Sequence, residues 1–343
     1  MRKGQNPAKA GVKAHQPAQL GIATLVYIPV LEGYFDQSLE IFKIHLTSVR
    51  QNTAAQFDYW VFDNGSCPEV KRELEKLHEA GLISTLILSE HNLGKTGALN
   101  QMLAAMPNEW ICFADSDMLF RPGWLEACWK INQSFPNCGM LGAQIIFPDW
   151  EVDKGNTQFR QTPDARFVFS QEKAPEWIAT EYCRARGATE ERTQVYREML
   201  LDKVRSIQTG AEAYLGGNSH QQFLARRDVL RQILPLPSGL QLSREQDTYQ
   251  DRRIDELGYL HLTTCVPYLY HMGNTIDPEI ASEINRQQAE EGRAQGMSKA
   301  AHKPPRGWKQ NLLWKGLARL SRIPWSRRLL LRLYNNLYEI FSS

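Results

Sequence analysis

An α/β fold, built as a mostly parallel sheet flanked by helices, is predicted by three observations. Short apolar, β-rich runs alternate with amphipathic stretches, the connections between them are short and contain glycine, and polar residues suited to chemistry fall directly after the apolar runs. Such alternation builds a parallel sheet covered by helices, and ligands in open sheets of this kind collect at the carboxyl ends of the strands.

In chain order, IATLVYIPV (22–30) is the first strand and IFKIHLTSVR (41–50) has helical spacing. YWVFDNGS (59–66) is a strand running into a turn, and KRELEKLHEA is a helix closed by Gly81. STLILSE (84–90), GALNQMLAAM (97–106) and WICFADSD (110–117) continue the pattern as strand, helix and strand. Residues 149–213 are charged and strand-poor, and TEERTQVYREMLLDKVRSI (189–207) is predicted as an amphipathic helix that Thr189 caps. The regular pattern resumes through YLGGNSHQQFLARRDVL (214–230), REQDTYQDRRIDELGYL (244–260) and VPYLYHMGN (266–274). The expected organisation is a flexible basic arm (1–19), a first half (20–150), a helical insertion or lid (151–213), a second half (214–275), a linker (276–302) and a basic amphipathic tail (303–343).

With 343 residues, 42% hydrophobic and 23% charged, the chain buries a full-sized core, which excludes a disulfide-stapled miniprotein and a wholly disordered chain. The net charge of +2 is unevenly placed. The arm carries +4 and the tail nine Lys and Arg against Glu339, or +8, so subtraction from +2 leaves −10 on residues 20–302. An anionic partner is therefore expected for the tail, and no recognition motif accompanies that charge, so nucleic acid is not expected. Six scattered cysteines without CxxC or zinc-type spacing indicate reduced thiols. No run approaches the roughly 18 apolar residues of a membrane span, and residues 1–19 lack a signal-peptide stretch, so a cytoplasmic location is expected.

Asp115-Ser116-Asp117, placed after an apolar strand, is the sharpest local signal. Two carboxylates one residue apart at a strand end both reach one hard divalent cation, and Mg²⁺ or Mn²⁺ typically takes one or two carboxylates together with substrate phosphate oxygens. In HNLGKTGALN (91–100), Lys95 and several backbone N–H groups precede a helix, a natural anion site. The segment imitates a P-loop, but Ser89 stands where that motif needs glycine. Asp63, on the loop after a strand, is suited to accept an imide N–H from uracil; an Asx-type turn is the other reading of Asp-Asn-Gly-Ser.

TLVYIPV, VFDNGS, HNLGKTGALN, FADSDMLFRPGWLE and QDTYQDRRIDELGY followed by YHMGN resemble, in order and spacing, the family 2 glycosyltransferases over roughly 20–150 and 214–275. The resemblance implies a GT-A type, Rossmann-like sheet and the transfer of a sugar from a nucleoside-diphosphate sugar, a uridine donor being favoured, to an acceptor. It assigns donor binding to Asp63, Asn64, Ser66, Lys95, Asp115 and Gly217, and metal binding to Asp115, Asp117 and His271, with Mn²⁺ or Mg²⁺ as cofactor. Asp247, eleven residues before Gly258, stands where the family has its catalytic base, although Gln246 replaces the usual glutamate. The implied chemistry is single displacement with inversion. A nucleotidyltransferase of related fold, and a degenerate sugar-nucleotide-binding subunit that recruits a partner, are the alternatives.

Read as a helix, NLLWKGLARLSRI (311–323) separates Leu313, Leu317 and Leu320 from Lys315, Arg319 and Arg322, and WSRRLLLRLYNNLYEIF resumes the pattern after Pro324. Basic amphipathic helices of this kind lie on anionic membrane surfaces; docking onto the chain's own acidic body or onto a partner is the other possibility. The expectation is a peripheral protein at the inner face of the plasma membrane, acting on a lipid-linked or cell-envelope glycan.

Overall fold

The computed structural model describes residues 16–145, 147, 155–216, 221–237 and 245–284, leaving the arm up to residue 15, Gly217 and the tail 303–343 outside the described residues. The chain divides into two compact units, 1–281 and 282–343. The first is an α/β unit built on one ten-stranded sheet in the order β3-β2-β1-β4-β10-β6-β11-β9-β8-β7.

The strands β1 (Leu20–Val26), β2 (Phe57–Asp63), β3 (Thr85–Leu88) and β4 (Trp110–Asp115) run parallel. Between them come α1 (Ser38–Asn52), α2 (Pro68–Glu79) and α3 (Gly94–Ala105), each close to its predicted position. After β4, a short strand β5 (Met118–Phe120) precedes α4 (Trp124–Ser134) and β6 (Cys138–Gly142). β10 (Gln222–Arg226) lies antiparallel between β4 and β6, whereas β11 (Leu260–Thr264) is parallel to β6. Between β10 and β11 lie α8 (Arg227–Ile233) and α9 (Glu245–Glu256).

Helices cover both faces, as the side-chain alternation along β4 requires. Cys112 and Ala114 point into a cluster with Phe42, Leu46, Val70, Leu74 and Trp124, from α1, α2 and α4. Ile111 and Phe113 point the other way, onto Leu99, Met102, Leu230 and Ile254, from α3, α8 and α9. Each such fully buried side chain is worth about 1.5–3 kcal/mol over exposure, so the sheet is anchored from both sides.

The insertion differs from its prediction. Between α5 (Thr157–Gln161) and β10 it holds α6 (Glu176–Arg184) and α7 (Glu190–Glu198), but also three strands, β7 (Phe167–Lys173), β8 (Leu200–Ser206) and β9 (Glu212–Leu215). Thr189 does cap α7 through the Arg192 N–H, at 3.3 Å. The predicted helix over 189–207 nevertheless stops at Glu198, and 200–206 becomes a strand. The cause is tertiary: β8 pairs with β7 along its whole length and with β9 on its other edge, burying Leu201 and Val204, and such pairing overrides weak helical periodicity. Segment 151–213 therefore extends the sheet as well as adding helices. All six cysteines are free, and among the described residues no helix is long and apolar enough to cross a membrane.

Candidate functional site

The parallel strands deliver their polar residues to one edge. Val26, Asp63 and Asp115 end β1, β2 and β4, and the strand order reverses its direction of growth between β1 and β4, the position at which open sheets form a ligand crevice.

At the end of β2, Asn64 and Ser66 tie the turn to its neighbours. Ser66 Oγ accepts from the Ile28 N–H at 2.9 Å, and the Asn64 amide accepts from the Leu93 N–H at 2.8 Å and donates to Asn92 Oδ1 at 3.0 Å. Gly65 (φ +86°) is required here, because a Cβ would stand 2.9 Å from the Asn92 nitrogen. Asp63 itself is fully buried, with both carboxylate oxygens facing the Ser66 N–H at 3.2 and 3.3 Å and Lys71 at 3.8 Å. Burial raises its pKa above the usual carboxylate range, against the Ser66 hydrogen bonds and the Lys71 charge. The Asx-type turn is thus present at Asp63, with the Ser66 N–H shared between its two carboxylate oxygens.

Lys95, in the first turn of α3, crosses to the end of β4, where Nζ lies 2.6 and 2.8 Å from the two Asp115 oxygens. Its charge is therefore matched by Asp115 and not open to solvent. Asn100 of α3 is structural, holding the Leu236 backbone by two hydrogen bonds of 2.8 and 2.7 Å.

Asp117 and His271, 154 positions apart, meet because β5 pairs antiparallel with β12 (Leu269–His271), placing Met118 opposite His271. The Met272 N–H donates to the Asp117 carbonyl at 2.8 Å, and His271 Nε2 donates to Asp117 Oδ2 at 3.1 Å. Burial opposes charge on both groups, yet their mutual attraction prevails. Helped by Lys95 and His45, it lowers the Asp117 pKa; helped by Asp115, it raises that of His271. Two buried polar atoms of this pair, Asp117 Oδ1 and His271 Nδ1, have no hydrogen-bond partner among the described residues.

Those orphaned atoms test the fit of a cation. Carboxylate oxygen and imidazole nitrogen are donor types that suit Mn²⁺, and the pairing of β5 with β12 sets the two residues side by side, although Nε2 and not the orphaned Nδ1 is the ring nitrogen turned toward Asp117. Asp115 points to Lys95, and among the described residues no three His, Cys, Asp or Glu side chains converge as a preformed cage.

Beneath this pair lies a buried relay that the sequence did not suggest. Tyr59 O–H donates to Thr24 Oγ1 at 3.0 Å, Thr24 lies 3.0 Å from His45 Nε2, and His45 Nδ1 lies 2.6 Å from the Met118 carbonyl. A carbonyl only accepts, so Nδ1 carries the proton and Nε2 accepts from Thr24. Asp247 lies in α9, with its side chain outside the described residues. The helix is fastened to the sheet one turn later, where Asp251 accepts from His261 Nδ1 of β11 at 2.7 Å, both buried.

Residues 39–183, a segment carrying Asp63, Lys95, Asp115 and Asp117, match the family model described as Glycosyl transferase family 2. This segment, 145 of the 343 residues, is similar to glycosyl transferase family 2. No curated protein matches the chain. Among solved structures, S. aureus TarS 1–349 is similar at 16% identity and a TM-score of 0.44, over 80% of this chain and 65% of that one. The chain thus spans a little under two thirds of the TarS chain. GalNAc-T7 with UDP, GalNAc and Mn²⁺ is similar at 14% identity and TM-score 0.47, over 75% of this chain and 44% of that one. The mannosyltransferase PcManGT from Pyrobaculum calidifontis with GDP-Man and Mn²⁺ is similar at 12% identity and TM-score 0.41, over 92% and 84%.

Proposed function

We propose that the chain is a metal-dependent glycosyltransferase that moves a sugar from a nucleoside-diphosphate sugar, with a uridine donor favoured, to a lipid-linked or cell-envelope glycan by single displacement with inversion. The observation that carries it is the Asp117–His271 pair, joined at 3.1 Å and within the electrostatic reach of Lys95 and Asp115, with Asp117 Oδ1 buried and, among the described residues, without a hydrogen-bond partner. Asp117 and His271 would hold Mn²⁺ or Mg²⁺, which when bound supplies charge neutralisation for the departing diphosphate, worth several kcal/mol. Asp115 and Lys95 line the donor side, and Asn64 and Ser66 shape the turn over the nucleoside, with Asp63 freed for the base when that turn opens. Gly217, outside the described residues, lies beside Gly216, where a Cβ would stand 2.7 Å from Thr263; backbone of this kind gives a sugar close approach. Asp247 takes the proton from the acceptor hydroxyl as its oxygen bonds to the anomeric carbon and the bond to the diphosphate oxygen breaks on the opposite face.

The test is calorimetric binding of UDP, GDP, CDP, ADP and dTDP with and without Mn²⁺. Manganese-dependent binding of one nucleotide, UDP by this reading, is expected; no binding of any would overturn the donor reading. The membrane reading rests on the charge of 303–343 alone. Deleting 303–343 should release the protein from phosphatidylglycerol vesicles while leaving nucleotide binding intact, and equal vesicle binding after deletion would remove the peripheral location at the inner face of the plasma membrane.

A further inference from the structure

The insertion reaches the candidate site. Arg121, the first residue past β5, makes a two-pronged ion pair with Glu181 of α6 at 2.9 and 3.0 Å, and the Arg184 guanidinium lies over the Tyr270 ring of β12 at 5.8 Å. The chain then turns sharply. The Arg186 and Ala188 N–H groups both donate to the Cys183 carbonyl, at 3.1 and 3.0 Å, and Gly187 takes φ +58°. A Cβ on Gly273, two residues past His271, would lie 3.9 Å from the Ala185 carbonyl oxygen, so this turn packs against the strand end that carries His271.

Arg186 sits at the tip of that turn, half-buried and held on two sides. Its guanidinium lies 3.7 Å from the centre of the Tyr182 ring, with Nη1 3.4 Å from the Tyr182 carbonyl and Nη2 donating to Gln221 Oε1 at 2.9 Å. Gln221 in turn accepts the Asp115 N–H on its own carbonyl at 2.8 Å, so one residue separates the guanidinium from the Asp115-Ser116-Asp117 turn. The Arg186 charge is felt at His271, where it opposes the rise produced by Asp117.

The surrounding cations are otherwise matched: Lys95 by Asp115, His271 by Asp117, Arg121 by Glu181, and Arg184 by Asp277 and Glu279. Among the described residues no carboxylate pairs with Arg186. A guanidinium has five N–H donors in a planar fork, and among the described residues two of those on Arg186 are engaged. Stacking on Tyr182 fixes the plane of the fork, so little side-chain freedom is lost when an anion arrives.

We propose that Arg186, supplied by the insertion, binds the diphosphate of the donor substrate and of the departing nucleoside diphosphate, as a fixed positive charge held through Gln221 next to the Asp115-Ser116-Asp117 turn. The inference deepens the donor reading above and rests on it. A guanidinium suits this ligand because its fork matches the oxygens of phosphate groups two at a time.

The experiment is calorimetric binding, to the full chain with Mn²⁺, of UDP, or whichever of the five diphosphates the wild type selects, and of the matching nucleoside monophosphate. In Arg186→Gln, diphosphate affinity should fall about 10- to 100-fold, as expected for a lost charge-assisted contact, while monophosphate affinity changes less than about threefold. Arg186→Lys should recover part of the loss as a point charge. Equal weakening of both nucleotides would assign Arg186 a structural role and overturn the inference, as would unchanged diphosphate binding. Wild-type binding that survives Arg186→Gln leaves the donor reading standing, whereas wild-type failure with every nucleotide overturns both.

Discussion

Alanine at position 117 should abolish manganese-dependent nucleotide binding and lower sugar transfer by about 10³-fold or more. Asp117 brings a carboxylate oxygen that is orphaned among the described residues, and its pKa lies below the usual range, so it is ionised at neutral pH. No neighbour substitutes for it, because Asp115 is committed to Lys95 at 2.6 Å. The substitution leaves the frame intact, since the hydrogen bond that fixes β12 beside residue 117 uses the Asp117 backbone carbonyl. Calorimetry and transfer assays with and without Mn²⁺ check it, alongside Asp247→Asn as the contrast. The asparagine variant should bind nucleotide like wild type yet lose transfer, because only proton removal is missing. Manganese-dependent binding that persists in Asp117→Ala would remove Asp117 from the metal site, and undiminished transfer by Asp247→Asn would remove Asp247 as base.

The first half of the molecule was legible because its signals are local. Apolar runs of strand length, Gly81 after the second helix and the Asp-Asn-Gly-Ser turn each act within a few residues, and β1 to β4 with α1 to α3 appear where those signals fall. The Asp115-Ser116-Asp117 turn was legible for the same reason. The nearness of His271 to Asp117 followed only from the family resemblance, because it depends on the pairing of β5 with β12 across 154 positions. Arg186 and Gln221 gave no signal at all. Their meeting depends on how the insertion folds, and there the sequence misleads, since Leu200–Ser206 satisfies helical spacing and strand pairing alike until β7 and β9 decide it. His45 was hidden for another reason: on the apolar face of α1 it reads as one more buried position, and its partners Thr24 and Met118 come from two other strands.

His45 should make the protein acid-sensitive by about 3 kcal/mol. The ring is fully buried, and burial lowers its pKa from 6.5 to about 4, with the Met118 carbonyl and Asp117 opposing the shift. In the unfolded chain the imidazole titrates near its ordinary value, so between those limits the unfolded state binds more protons than the folded one. Stability therefore falls as pH drops through 6.5, and this contribution is fully lost by about pH 4. At roughly 1.4 kcal/mol per pH unit, that interval sets the size of the loss. Protonation also turns Nε2 from acceptor to donor, so the Thr24 hydroxyl loses its acceptor while the Nδ1–H bond to the Met118 carbonyl remains. Glutamine keeps an amide donor and acceptor without titrating, so urea unfolding of wild type and His45→Gln from pH 7 to 4, in EDTA, isolates the effect. The wild type should lose about 3 kcal/mol more than the variant over that range. Parallel stability curves would show that His45 does not cost the fold its proton, and the neutral relay under the site would then be wrong.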